Sequence, residues 1–195
     1  MKIKRLKQTP FGTVDIVWSA NQDCPRITRV ILSEPDLSAE SQLSANYRDL
    51  ATGSCSEIDE VASDIKAVLE GEDINISIAI ADLDACSAFR QSVLHAIHKV
   101  PRGHVSTYQL IATKLGNPGA TRAVGNALAN NPIPIIVPCH RAIRSDGSLG
   151  GYQGGMRMKR CLLAKEGLAF RDAAHIDTTD FFYLNSAPAG TKFRY

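Results

Sequence analysis

The sequence predicts two folded parts, a small mixed α/β unit and then a mainly helical unit built around a helix-turn-helix. Three observations carry this expectation. Strand-like alternation surrounds a single helix in the first 85 positions, helical spacing of apolar residues takes over from Phe89, and the charge changes sign between the two. Residues 1–85 hold 8 basic and 15 acidic side chains, whereas residues 86–171 hold 12 basic and 2 acidic ones. The expected boundaries are therefore 1–85, 86–171 and a tail of 172–195, whose 2 basic and 3 acidic residues complete the net charge of +2.

In the first part, Val14, Ile16 and Trp18 alternate with polar or opposite-face residues, Asn21-Gln-Asp23 signals a turn, and 27–32 is β-rich, so a hairpin is expected. A helix follows: Ile58, Val61, Ala62, Ile65 and Leu69 keep its spacing, Ser56 is placed to cap it, and Gly71 to end it. Ile74, Ile76, Ile78 and Ile80 then alternate with smaller or polar residues, which reads as a strand with one buried face. Residues 81–85 read as a linker.

In the second part, Phe89, Val93, Ala96, Ile97 and Val100 mark a helix that stops before Pro101. Ser106 or Thr107 caps a helix running to Leu115, Gly116-Asn-Pro-Gly119 turns the chain, and a further helix covers 120–130. On that last helix Ala120, Ala123, Val124, Ala127 and Leu128 form the inward stripe. Arg122, Gly125, Asn126 and Ala129 are left on an outer face of unusually small residues. Gly125 costs about 1 kcal/mol of helix propensity relative to alanine, which suits a helix whose backbone must approach something bulky. A nucleic-acid duplex fits, and so does tight helix–helix packing.

The run from Asn131 to Arg141 carries the chemistry. Prolines at 132, 134 and 138 exclude an ordinary helix or central strand, so the run reads as a rigid, buried, extended lead-in that presents Cys139 beside His140. A thiol next to an imidazole is a candidate nucleophile, and a small buried hydrophobe is the plain alternative. A helix over 156–166 places Met158, Leu162 and Glu166 on one line, so Glu166 sits at the edge of an apolar face and at the negative end of a helix dipole. Such a carboxylate needs a cationic or proton-donating partner. His140 would serve, giving a Cys139–His140–Glu166 relay, against a plain surface glutamate.

The five cysteines are scattered and odd in number, so neither a disulfide scaffold nor a zinc site is indicated, and Cys86 and Cys161 read as core thiols. No apolar stretch reaches membrane-spanning length and no signal-peptide pattern opens the chain, so an intracellular, cytoplasmic protein is expected. A segment of net +10 is the footprint expected for a polyanionic partner, against a merely basic surface balanced by its acidic neighbour.

The blocks Arg122-Ala-Val-Gly125, Asn131-Pro132, Pro138-Cys-His-Arg141, Gly150-Gly-Tyr-Gln-Gly-Gly155 and Leu162-Leu-Ala-Lys-Glu-Gly167 together resemble the O6-alkylguanine-DNA alkyltransferases. The resemblance is strong from about 89 to 170, weaker over 9–32 and absent beyond Arg171. It implies a ribonuclease-H-like N-terminal domain and a winged-helix-like, helix-turn-helix C-terminal domain. It also implies transfer of an alkyl group from O6 of a flipped guanine, with O4 of thymine as the alternative acceptor of damage, to Cys139 in a single, irreversible turnover without metal or organic cofactor. By the same resemblance His140, acting through a water, and Glu166 activate the thiol, and Tyr108 donates a proton to the leaving guanine. Arg122 fills the gap in the duplex, with Gly125 and Asn126 on the same DNA-facing helix. The carbonyls of Cys139 and Ala142 and the amide of Gln153 read the base, Tyr152 walls the pocket, and Asn131 braces the turn. The implied partner is double-stranded DNA held through its minor groove by a monomer, near the nucleoid in a prokaryote. Leu94 departs from the family, many members of which have tryptophan there. A cysteine hydrolase and a helix-turn-helix regulator remain the competing readings.

Overall fold

Alternation at the start of the chain does produce strands, one more than expected. The computed structural model describes residues 1–21, 24–34, 37–43, 47, 49–178 and 181–183. It falls into two units: Met1–Ala85 with Pro132–Ile136 and Gln153–Gly155, and Cys86–Asn131 with Val137–Tyr152 and Met156–Tyr195.

The first unit is a three-stranded antiparallel sheet, β1 (Lys2–Thr9), β2 (Gly12–Asn21) and β3 (Cys24–Leu32), in the order β1-β2-β3. β1 escapes the sequence reading because only Ile3 and Leu6 interrupt its basic residues. The turn expected at 21–23 lies partly outside the described residues. β2 is buried on both faces: Val14, Asp15, Ile16 and Val17 are fully enclosed. Asp15 tolerates this because Arg5, its cross-strand neighbour, grips the carboxylate with two hydrogen bonds of 2.7 and 2.9 Å. One face of the sheet packs Ile3, Val17 and Ile31 against Ala39 and Leu43.

Helix α1 (Ser56–Glu70) buries the expected stripe and closes at Gly71, whose left-handed φ of 106° is the glycine C-cap. The N-cap, however, is Cys55, with no side-chain bond; Ser56 Oγ turns to Glu57 instead. The strand expected over 74–80 does not form. Ser77 Oγ accepts the amide of Ala79 and the chain enters a 3-10 turn, Ile78–Ile80, a side-chain-to-backbone bond displacing the ladder. Only Ala81 and Asp82 reach the sheet, against Ile27.

The second unit holds α2 (Ala88–His98), β4 (Ser106–Thr107), α3 (Tyr108–Lys114), α4 (Thr121–Ala129), β5 (Ala142–Ile143) and α5 (Gly155–Lys165), which belongs to this unit from Met156 onward. In α2 the fully enclosed apolar residues are Val93, Leu94 and Ile97, while Phe89 faces outward. Leu94, the departure noted above, therefore fills the core. Thr107, not Ser106, caps α3, accepting the Leu110 amide at 3.0 Å. β4 and β5 form a two-stranded parallel pair that fixes the start of α3 beside Ala142. Val105, Leu110, Ile143, Leu149, Leu163, Ile176 and Phe181 make a core cluster, so part of the tail belongs to this unit.

Among the described residues no helix is long and apolar enough to cross a membrane, and no three His, Cys, Asp or Glu side chains are grouped to hold a metal ion. Cys86 and Cys161 are half-buried rather than core thiols.

Candidate active site

The proline run is buried as expected, but it is not extended throughout. Ile135 adopts φ 75°, a left-handed conformation that costs a β-branched residue about 1–3 kcal/mol. Pro134 fixes the torsion before it and Pro132 offers its carbonyl to Val30 of β3 at 2.8 Å, so the turn is imposed from its N-terminal side. In the second unit Asn131 Nδ2 donates to Val137 O at 3.1 Å, clipping the two ends of the run together. Pro138 then admits a 3-10 turn, Cys139–Arg141, with the Cys139 amide bonded to Val137 O at 2.7 Å.

Cys139 is 6% exposed. Burial pushes its thiol up, and this outweighs the opposing pull of the Asn131 side chain, the Lys159 charge and a backbone amide. The resting group is therefore the thiol, and a nucleophile must be made by removing its proton.

The next residue in the chain belongs to a histidine–carboxylate pair. His140 is fully enclosed, and its Nε2 lies 2.8 Å from Glu166 Oε1. Glu166 also receives Arg141, through Nε at 3.1 Å to each oxygen and Nη2 at 2.9 Å to Oε1. Burial alone would raise the Glu166 carboxyl, but the hydrogen bonds and charges of His140 and Arg141 prevail and hold it at about 2. Desolvation conversely lowers His140 in spite of Glu166. The result is a carboxylate beside a neutral imidazole, with the carboxylate fixing Nε2 as the protonated nitrogen. His140 Nδ1, buried and without a hydrogen-bond partner among the described residues, is then free to accept a proton.

Tyr108 opens α3 on the same side of this unit. Burial raises its phenol, and the nearby Cys139 raises it further, against a smaller lowering by Arg144. It stays a neutral O–H, able to donate. Gly150 explains how the phenol is seated: a Cβ there would meet Tyr108 Oη at 2.8 Å, and its φ of 66° is left-handed. Tyr152 stands edge-on to His140, ring centroids 6.1 Å apart at 81°, with its hydroxyl buried. Ala142 is fully buried in β5, its carbonyl held by Lys159 Nζ at 2.6 Å.

The outer face of α4 is wider than the sequence suggests. Arg122, Ala123, Asn126 and Ala129 are all exposed, so Ala123 leaves the inward stripe, whose buried members are Val124, Ala127 and Leu128. A Cβ on Gly125 would meet nothing within 4 Å. Packing among the described residues therefore does not require this glycine. The structure thus places Cys139, His140, Glu166, Tyr108, Asn131, Ala142 and Tyr152 in one unit with the α4 residues, whereas Gln153 is grouped with the first unit.

Two residues escaped the sequence reading. Arg141 was part of a motif without a role, although an arginine next to a histidine that seeks a carboxylate is a natural second ligand. Lys159 is fully buried on α5, in line with Leu162 and Leu163. A lysine at three- and four-residue spacing from an apolar stripe was the available signal.

Residues 88–168 match the DNA-binding domain of 6-O-methylguanine DNA methyltransferase. The methylated-DNA–protein-cysteine methyltransferase of Methanothermobacter thermautotrophicus is 38% identical over 112 residues, covering 57% of this chain and 62% of that protein. Its namesake from Methanosarcina acetivorans is 42% identical over 108 residues, 55% of this chain and 68% of the relative. The aligned part thus spans less than two thirds of the first of these relatives and slightly more of the second. The crystal structure of Mycobacterium tuberculosis OGT in complex with DNA superimposes with a TM-score of 0.69 at 32% identity, covering 86% of this chain and 93% of that one.

Proposed function

From a chain that belongs to the methylated-DNA–protein-cysteine methyltransferase family, we propose a DNA-repair protein that takes an alkyl group from O6 of guanine in duplex DNA onto Cys139. The observation that carries this reading is the buried Cys139 thiol set beside a His140–Glu166 pair at 2.8 Å.

The chemistry follows from the site. A water between His140 Nδ1 and the thiol carries the sulfur's proton to the imidazole, and Glu166 stabilises the imidazolium as it forms. The sulfur then attacks the alkyl carbon in line. The S–C bond forms, the O6–C bond breaks, and the electrons of that bond stay with the guanine, which Tyr108 protonates. The base must leave the stack for the sulfur to reach the far side of the carbon, which is the reason to propose flipping. Arg122, exposed on α4, would occupy the space left behind, and the small outer face of α4 suits the narrow minor groove. Ala142 O has a second lone pair beside its bond to Lys159 with which to read the guanine amino group. The product is a thioether, which no neighbouring group among the described residues is placed to cleave, so one protein repairs one base; the protein is read as a monomer that uses no cofactor. The first unit is read as ribonuclease-H-like and the second as winged-helix-like. O4-alkylthymine is a second substrate to be tried.

The test is to incubate the protein with duplex DNA carrying O6-methylguanine and weigh the Cys139 peptide. One methyl per protein on that peptide, with loss of the lesion, is expected, and Cys139→Ala should abolish transfer while leaving DNA binding intact. An unmodified peptide with the lesion intact would sink the reading. Repeated turnover would point to a hydrolase, and binding without chemistry to a regulator.

A further inference from the structure

Lys159 lies on α5 with no surface exposed to solvent, yet among the described residues no carboxylate comes within ion-pair distance of it. A buried ammonium without a counter-ion is costly, so the fold must gain something from it. Its three donors are all directed at backbone carbonyls: Ala142 at 2.6 Å, Leu149, and Gly151 at 3.5 Å. These belong to two separate stretches of the second unit. Ala142 is three residues beyond Cys139, and Leu149 and Gly151 flank Gly150, the glycine against which the Tyr108 hydroxyl rests. Neutral carbonyls satisfy the hydrogen-bonding needs of an ammonium but do not cancel its charge. That charge acts on Cys139, favouring the thiolate, and the thiolate in turn favours the protonated lysine.

We propose that Lys159 is a positioning residue of the transfer centre: its ammonium ties the Ala142 carbonyl and the 149–151 loop into one wall and stabilises the Cys139 thiolate as it forms. The inference rests on the alkyl-transfer reading for its purpose, not for its electrostatics. Lys159 gives up no proton in this role. The relay to His140 and Glu166 removes the thiol proton, and Lys159 supplies a fixed positive charge opposite the negative charge that the departing proton leaves on the sulfur. Arg141, another nearby cation, is already engaged by the Glu166 carboxylate. Of the other groups around the thiol, the phenols of Tyr108 and Tyr152 are neutral, and Arg144 acts on both Tyr108 and Lys159. Burial brings Lys159 down to about 8, so the charge is in place at pH 7.

The experiment reads the thiol without DNA. Wild type, Lys159→Met and Lys159→Arg are treated with iodoacetamide across a pH series, and alkylation is quantified on the Cys139 peptide so that the other cysteines do not count. Lys159→Met, similar in length but neutral, should move the midpoint of the Cys139 profile up by about one pH unit, about tenfold in thiolate at a fixed pH. Transfer from O6-methylguanine duplex should slow by a similar factor, and Lys159→Arg should restore most of the profile. An unmoved midpoint in folded Lys159→Met, or equal shifts in the Met and Arg variants, would overturn the proposal. If Lys159→Met does not fold, the buried lysine Nζ resonance of 15N-labelled wild type should follow the titration of Cys139 and lose that step in Cys139→Ala. A resonance indifferent to Cys139 overturns it equally. Because iodoacetamide needs no lesion, a failure here leaves the alkyl-transfer reading standing, and the reverse holds too.

Discussion

Glu166 Oε1 lies 2.8 Å from His140 Nε2, and both side chains are enclosed. This pair ties stability to pH with a definite sign. The Glu166 carboxyl is depressed from 4.5 to about 2 in the folded state, so its contribution is present above about 4.5 and is lost as pH falls toward 2. Full loss would amount to about 3 kcal/mol. His140 is lowered from 6.5 by burial, so the fold also loses stability as pH falls below 6.5, where the unfolded imidazole gains a proton that the folded one resists. Both act in the same direction. Melting temperature measured from pH 7.5 to 3 should fall in two stages, and Glu166→Gln should lack the more acidic one. A melting temperature flat between pH 7 and 4 would contradict the pairing.

Arg141 supplies the second half of the Glu166 cradle and also donates to Val100 O at 2.7 Å, joining the active-site turn to the end of α2. Arg141→Lys keeps the charge but cannot form the fork. It should lose about 1–3 kcal/mol in urea unfolding. Transfer should slow as well, because Glu166 then orients the imidazole less firmly. If Arg141→Lys matched wild type in both measurements, the fork would have no part in the site.

The elements most legible in the sequence were those whose signals are local. Gly71 ends α1 and Thr107 caps α3 through one backbone torsion or one side-chain bond, and both can be read from neighbouring residues. Cys139, His140 and Glu166 were legible for another reason: an acid on an apolar helix edge demands a partner, and a histidine was available. The signals failed where hydrogen bonds or torsions that the residue pattern does not encode decided the outcome. Ile78–Ile80 has the alternation of a strand, but the Ser77 hydroxyl competes for its backbone. Ile135 turns left-handed although an isoleucine in a proline run reads as extended. Lys159 looks like a surface residue until its three carbonyl partners are known, two of them lying before the helix and one seventeen positions upstream.

The tail after Arg171, where the family resemblance ends, is built into the second unit. The amide of Phe182 bonds to Val105 O, Ser106 Oγ donates to Phe182 O, and the Leu149 amide donates to Ala174 O. These contacts brace the approaches to both Tyr108 and Gly150. Phe181 is 5% exposed in the core cluster, so Phe181→Ala should cost about 3–5 kcal/mol. Truncation after Arg171 should do at least as much and should slow transfer below the melting temperature. A truncated protein as stable and as fast as wild type would show the tail to be a passive cover.

Gly125 offers a test in which stability and binding should move in opposite directions. It sits in the interior of α4, where alanine is favoured by about 1 kcal/mol, and a Cβ there would meet nothing within 4 Å. Glycine is thus an avoidable cost to the free protein. If α4 enters a groove of the duplex, the missing Cβ is the reason the backbone can come close, and the cost is recovered only on binding. Gly125→Ala should therefore raise the urea midpoint while weakening affinity for duplex DNA several-fold, and Gly125→Leu should weaken it further. Transfer from the free base O6-methylguanine should be unchanged, since that substrate never meets α4. Arg122→Ala should show the same split between duplex and free base without the gain in stability, because its exposed side chain contributes nothing comparable to the helix. If Gly125→Ala raised stability and left duplex affinity intact, the small face of α4 would not be the surface that meets DNA.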